Sequence, residues 1–425
     1  MKLKNLRWWI LSLVAIATVI NYIDRNALAV MWPGVSEELG LDKEDYALIL
    51  SSFMIAYAIG QSAFGKIFDA LGTRYSFLLA IGVWSAAVAM HAVAKTASAF
   101  SVVRFVMGFG EAGNWPGATK ANAEWFPINE RALAQGIFNT GAALGAVVSA
   151  PLIAFFYIWL GWKVTFIVIA ALGLLWAIPW YILYKSGPDT HPWLTEEERQ
   201  YILVGQKPQP TDDAEEAELL APGWLEMLKY KESWAVILSR FFLDPVWWLF
   251  LSWLPIYLAD QFGFDVKQIG LYAWVPYVGA AIGGLMGGWL SGRLIKRGWS
   301  VNKARKTVIT AGGIFMFPAL VATAFAATPL IAVLLMAVIL FGFQLAIGNI
   351  QTLPSDYFSG KSVGSLAGVS GSAAVVGVLI TIWLVPIITV DSYVPFFMMG
   401  ALLVPLAIGA IWVLGGNIGP VKNKA

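Results

Sequence analysis

The sequence predicts an all-α membrane protein of twelve transmembrane helices in two six-helix bundles, with both termini in the cytoplasm. Three observations predict it. Of the 425 residues, 59% are hydrophobic and only 13% are charged, whereas soluble domains carry roughly 25% charged residues. Apolar runs long enough to span a bilayer, about 20 residues each, fall into two sets of six around one polar segment. The Lys and Arg residues of the connections gather on one side.

The first set of runs lies near 8–32, 46–68, 75–94, 98–118, 133–158 and 163–184. The second lies near 234–259, 268–292, 306–327, 329–352, 362–388 and 392–414. This divides the chain into an N-terminal bundle over 1–185, a cytoplasmic linker with short amphipathic helices over 186–233, and a C-terminal bundle over 234–425. Lys2, Lys4 and Arg7 before an apolar run imitate a signal peptide, but the length of the run and the many that follow make it a retained first helix. In the linker, Thr195 and Glu198 stand at capping-box spacing before a short helix. Pro208 to Glu218 is acidic and reads as a flexible linker. Trp224 to Lys229 reads as an interfacial amphipathic turn.

Alternate connections set the orientation. One side holds Lys2, Lys4, Arg7, Lys66, Arg74, Lys120, Arg131, Arg293, Lys296, Arg297, Lys303, Arg305, Lys306, Lys361, Lys422 and Lys424, sixteen in all. The other holds Lys43, Lys95, Lys163 and Lys267. Sixteen against four places both termini and the linker in the cytoplasm. A multi-pass membrane protein is expected.

Several chemistries are excluded. With no Cys, the chain has no disulfide, thiolate nucleophile or Cys-ligated metal, and two His, at 91 and 191, build no metal cluster. An intramembrane hydrolase needs a nucleophile–His pair or a metal, and His91 stands alone in its span. No catalytic or metal-ligating residue is therefore assigned, and an enzyme is not expected. The linker is too small and acidic to be the output domain of a sensor. The net charge of +2 gives no sign of a nucleic-acid partner.

What remains is charge placed where lipid-length helices should be apolar. Asn21-Tyr22-Ile23-Asp24-Arg25-Asn26 lies inside the first span, and an ionisable residue there is a functional-site hypothesis by default. Neighbours on a helix diverge by about 100°, so Asp24 and Arg25 are expected to look to other helices or to a ligand. In the fourth span, Arg104 and Glu111 stand seven apart, two turns along one face. A carboxylate that gains and loses a proton as its neighbours change is the minimal coupling device for proton-driven transport. In the seventh span, Arg240 and Asp244 stand at i,i+4, and Pro245 loosens the helix. Tyr57, Asn139, Gln344, Asn349, Ser370 and the ring of Trp248 supply donors, acceptors and a face for a hydroxyl-rich ligand. Guanidinium groups match carboxylates bidentately, so Arg25, Arg104 and Arg240 are candidate substrate-binding residues, and the reading is an anionic substrate carried with protons.

Several stretches carry a resemblance. Gly65-Lys66-Ile67-Phe68-Asp69-Ala70-Leu71-Gly72-Thr73-Arg74 resembles the Gly-x-x-x-Asp-x-x-Gly-x-Arg loop signature of the major facilitator superfamily. A weaker second copy runs from Gly288 to Arg297, with Gly292 where the first has Asp69. The resemblance implies that Gly65, Asp69, Gly72 and Arg74 form a conformational latch. Asn21-Tyr22-x-Asp24-Arg25, Arg104-x-x-x-Gly108-x-x-Glu111-Ala112 and Glu124-Trp125-Phe126-Pro127-x-x-Glu130-Arg131 resemble the bacterial branch of the anion:cation symporter family. The run from Arg240 to Trp247 and Ser355-Asp356-x-Phe358 are most similar to its hexuronate (glucuronate/galacturonate) transporters.

That likeness implies roles. Asp24 and Glu111 carry the coupling protons, Arg25 holds the substrate carboxylate beside Tyr57, and Arg104 pairs with Glu111 and releases it on protonation. The helix-five Gly-Pro pair of the drug antiporters is replaced here by Gly141-Ala-Ala-Leu-Gly145-Ala, which disfavours an efflux pump. The expectation is a monomeric, proton-coupled symporter of a sugar-acid anion, a hexuronate first of all, in the lipid bilayer, with protons as coupling ion and no other cofactor. A galactonate, aldarate or other organic-anion symporter and an organophosphate/phosphate antiporter are the alternatives.

Overall fold

The computed structural model describes residues 2–205, 222, 226–358, 361–419 and 421. The acidic stretch 208–218 and Trp224 and Leu225 of the expected interfacial turn lie outside the described residues. The chain divides into two compact units, Met1–Asp212 with Asp265–Leu271, and Asp213–Phe264 with Tyr272–Ala425.

Thirteen α-helices form among the described residues. The first unit contains α1 (Leu6–Leu39), α2 (Lys43–Met90), α3 (Ala97–Glu111), α4 (Asn114–Trp125), α5 (Ile128–Leu183) and the short α6 (Glu196–Gly205). They are followed by α7 (Lys231–Phe262), α8 (Val266–Tyr272), α9 (Val275–Lys296), α10 (Val301–Thr323), α11 (Pro329–Tyr357), α12 (Lys361–Ile388) and α13 (Val394–Leu414). A 3-10 turn at Glu226–Lys229 leads into α7.

Among the described residues, ten stretches are long and apolar enough to cross a membrane by themselves. One of these, Thr140–Leu183, is two spans, because Gly161 (φ 70°, ψ 169°) breaks α5. Gly72 (φ 73°, ψ 166°) breaks α2 in the same way, so the loop signature around it is a helix–turn–helix corner. Counting α3 and α4 together as one interrupted span gives the twelve expected.

The apolar runs predict continuous fourth and eighth spans, and each is interrupted. Pro116 has no N–H to donate to the carbonyl of Ala112, and Pro276 none for Tyr272. The chain opens between α3 and α4 at Ala112–Gly113 and between α8 and α9 at Ala273–Trp274. The first break leaves Glu111 as the last residue of α3.

Helix starts follow from side-chain caps. Asp42 and Asp45 form a reciprocal capping box on α2, while Thr96, Ser300 and Thr328 cap α3, α10 and α11. Small residues set the closest packing. On α9, Gly279, Gly283 and Gly287 lie against the backbone carbonyls of Ala337, Phe341 and Leu345 on α11, where a Cβ would collide. On α5, Gly141 and Gly145 do the same against Ala15 and Val19 of α1.

α1 begins at Asn5, the one described non-glycine residue with positive φ, whose side chain makes no cap bond. The cap comes from the linker. Glu198 on α6 accepts from the backbone N–H of Leu6 (3.0 Å) and Arg7 (3.3 Å) and from the Arg7 guanidinium (2.9 Å). The free donors and positive dipole end of a helix N-terminus favour a carboxylate there. The Glu198 N–H does bond Thr195 Oγ1 (3.4 Å), so half of the expected capping box forms, but the carboxylate serves α1 instead.

Candidate functional site

Three helices of the first unit bring the predicted charges together. Asp24 and Arg25 lie on α1, Phe53 and Tyr57 on α2, and Arg104 and Glu111 on α3. Arg25 reaches across to Glu111, with Nε at 3.0 Å and Nη2 at 2.8 Å from the same oxygen, Oε2. Nη2 also donates to Asn21 Oδ1 (3.1 Å), one turn back on α1. The rings of Tyr22, Phe53 and Tyr57 surround the guanidinium at 5.1, 5.4 and 5.1 Å, close enough for cation–π attraction. The side chains of the pair are 6% and 0% exposed.

The expected Arg104–Glu111 pair does not form. Arg104 Nη1 instead contacts the carbonyl of Arg25 (3.4 Å) and the sulfur of Met107 (3.5 Å). The reason is geometric. Seven residues of helix advance about 10 Å along the axis, which leaves Arg104 short of a direct bond to Glu111, and its Nη1 is taken up by the Arg25 carbonyl and Met107. Arg25, entering from the neighbouring helix, takes the position.

Asp24 is 1% exposed, and neither carboxylate oxygen has a hydrogen-bond partner. It lies within electrostatic reach of Glu111 and Arg104 and faces the indole of Trp84, whose N–H also lacks a bond of proper geometry. Glu111 Oε1 is likewise without a donor. Around these acids, Asn26 donates to Ser149 on α5 (2.8 Å), and Asn114, at the start of α4, donates to Thr18 on α1 (3.0 Å). Both asparagines are buried, and nothing along the sequence separates them from packing residues. Buried unpaired polar atoms are rare enough that each calls for a reason, and here several converge on one cluster.

The second unit has its own ion pair. Arg240 Nη2 bonds Asp244 Oδ2 at 2.8 Å along α7, and Nη1 touches Ser370 Oγ (3.3 Å) and the carbonyl of Ala367 (3.4 Å) on α12. The structure thus brings Arg240 and Ser370 together. Trp248 follows on α7 and is half-buried, as is Gln344 on α11. Asn349 belongs elsewhere. Its amide accepts from Arg305 (3.0 Å) and donates to the carbonyls of Gly287 and Leu345, while Arg305 also binds Ser291 and Asp356. The geometry gives Asn349 to a network that ties α9, α10 and α11, because a buried amide takes the nearest unsatisfied backbone groups.

Of the four residues expected to form a latch, Gly72 makes the turn and Gly65 lies in helix. Arg74 donates to the carbonyl of Tyr181 at 2.8 Å and lies over its ring, a cation at the C-terminal end of α5. The side chains of Asp69 and Asn139 lie outside the described residues. A cavity of about 480 Å³ at the Gly72 turn, lined by Arg74, Glu124, Tyr184 and Lys185 among others, is separate from the Asp24–Glu111 cluster. Among the described residues, no group of His, Cys, Asp or Glu is arranged to hold a metal.

The family described as the Major Facilitator Superfamily matches residues 14–382. The hexuronate transporter of Escherichia coli strain K12 is 33% identical over 376 residues, 88% of this chain and 85% of that protein. The galacturonate transporter of Dickeya chrysanthemi is 34% identical over 74% of this chain and 90% of its own length. A bacterial homologue of the human lysosomal transporter Spinster, solved inward-facing and occupied, superposes with a TM-score of 0.73 at 17% identity, covering all of both chains. The membrane-length helices and these matches agree: the chain belongs to the major facilitator superfamily and is a multi-pass membrane transporter.

Proposed function

We propose that this transporter takes up a sugar-acid anion, a hexuronate first of all, together with protons across a bacterial inner membrane by alternating access. The observation that carries the reading is the buried Arg25–Glu111 pair with Asp24 beside it. Both guanidinium contacts to Glu111 fall on one oxygen, so a substrate carboxylate competes with Glu111 for the same N–H groups. A proton on Glu111 removes its charge and yields Arg25 to the substrate. Asp24, buried with no donor on either oxygen, is assigned the second coupling proton. Proton and anion then each raise the affinity of the other, as linkage requires.

Tyr57 lies against Arg25 and is assigned to the ligand with it. Arg104 acts through α1, holding the Arg25 backbone. In the second unit, Arg240 is assigned to anion binding, with Ser370, Trp248 and Gln344 offering hydroxyl-matching groups and a ring. The relatives named for hexuronate and galacturonate support this substrate class.

Proteoliposomes holding the purified protein test the coupling. An inward proton gradient should drive accumulation of labelled D-glucuronate without internal counter-substrate, whereas an exchanger needs one. Glu111→Gln should keep or tighten binding and abolish pH-driven accumulation. Accumulation against a gradient by that variant would show that the coupling proton is carried elsewhere.

A further inference from the structure

The ion pair on α7 is built to be opened. Arg240 precedes Asp244 by four residues, the weaker of the two orientations for an intrahelical pair. A guanidinium has five N–H donors, and only one contact of Arg240 is short, the 2.8 Å bond to Asp244 Oδ2. Its contacts with Ser370 and Ala367 are 3.3 and 3.4 Å, and Nε has no partner. Asp244 is equally half-used, since Oδ1 is buried without a donor.

The surroundings keep room beside the guanidinium. A Cβ on Gly371 would stand 3.5 Å from Arg240 Nη1, so glycine at 371 leaves that side clear. Pro245 cannot donate to the carbonyl of Phe241, and Gly377 of α12 closes directly over that carbonyl, which fixes α7 against α12. The pair's helix is therefore held while the pair itself stays loose. Its side chains are 17% and 14% exposed.

We infer that Asp244 is the internal rival of the transported anion: its carboxylate occupies Arg240 until the carboxylate of the substrate displaces it, and Asp244 thereby sets how tightly the second unit holds an anion. This rests on the assignment of Arg240 to anion binding made above. No covalent step is involved. One carboxylate replaces another on the same N–H groups, and Asp244 is a positioning residue that acts through Arg240.

Isothermal titration of the purified full-length protein with D-glucuronate, D-galacturonate and D-galactonate tests it. Asp244→Asn should tighten binding about five- to tenfold, within the usual range of a coupling between sites, and Asp244→Ser should tighten it in the same direction should the first variant not fold. In an Arg240→Gln background neither change should alter affinity. Damage to structure does not produce a gain in affinity, so a gain that vanishes without Arg240 identifies displacement. Anion binding by Asp244→Asn where the wild type binds none would equally support the rival. Wild-type binding left unchanged or weakened by both substitutions would overturn the inference and leave the sugar-acid reading standing. No binding of any of the three anions by wild type or variants would overturn both.

Discussion

In each unit one of the arginine–carboxylate pairs lies at 2.8 Å inside a membrane-length stretch, Arg25–Glu111 in the first and Arg240–Asp244 in the second, and these two are built differently. Arg25 and Glu111 come from two helices and are sealed under three aromatic rings. Arg240 and Asp244 come from one helix and are partly open. A pair between helices couples charge to helix packing, so changing its protonation changes what holds α1 to α3. A pair within one helix can break without moving anything. The first arrangement suits a device that converts a proton into a change of structure, and the second suits a grip that changes hands.

The widest gap between the two should appear on truncation. Arg25→Ala leaves Glu111 buried without its partner, and breaking such a pair costs about 3–5 kcal/mol. Thermal unfolding should shift far down and titration should show no sugar-acid binding, while unchanged affinity would move the anion site away from α1. Arg240→Ala also strands a carboxylate, but one that is 14% exposed against 0% for Glu111, so water offsets part of the cost. Its unfolding temperature should fall less than that of Arg25→Ala while anion affinity falls. Equal destabilisation by the two substitutions would erase the distinction drawn here.

A smaller effect separates the units by pH, because both histidines lie in the first. His191 donates from Nε2 to the carbonyl of Leu183 and accepts at Nδ1 from the N–H of Trp193. Burial, and the nearby cations of Lys185 and Arg199, hold its imidazole below the usual value of 6.5. The unfolded state then binds more protons than the folded one as pH falls through about 6.5, so stability present above that pH is lost below it. The hydrogen-exchange protection factor of the Trp193 amide, taken relative to its intrinsic rate at each pH, should fall between about pH 7 and 5, and His191→Asn should flatten the trend. Amides of the Arg305–Asp356 network in the second unit should show no matching change.

Much of this is legible in the sequence because lipid forbids what it contains. Charges at 24, 25, 104, 111, 240 and 244 stand out against apolar runs, and the structure draws the first four into one cluster. The pairing is not legible. That Arg25 and not Arg104 reaches Glu111 depends on how far α1 stands from α3, which no spacing along one helix encodes. The two interrupted spans have a readable signal in Pro116 and Pro276, each four residues after the freed carbonyl. Asn349 looks like a cavity residue because an amide in an apolar helix has the same appearance whether it serves a ligand or a neighbouring arginine. Glu198 matches a local cap and in fact caps a helix nearly two hundred residues earlier, a choice made by tertiary proximity.

The glycine seam between α9 and α11 limits how the second unit can respond to any of these events. With carbonyls of one helix resting on bare backbone of the other at three successive turns, no side-chain cushion is left to absorb sliding or rotation. Those two helices behave as a welded plank. The flexibility that a transport cycle requires has to be found in the helices that pack around that plank.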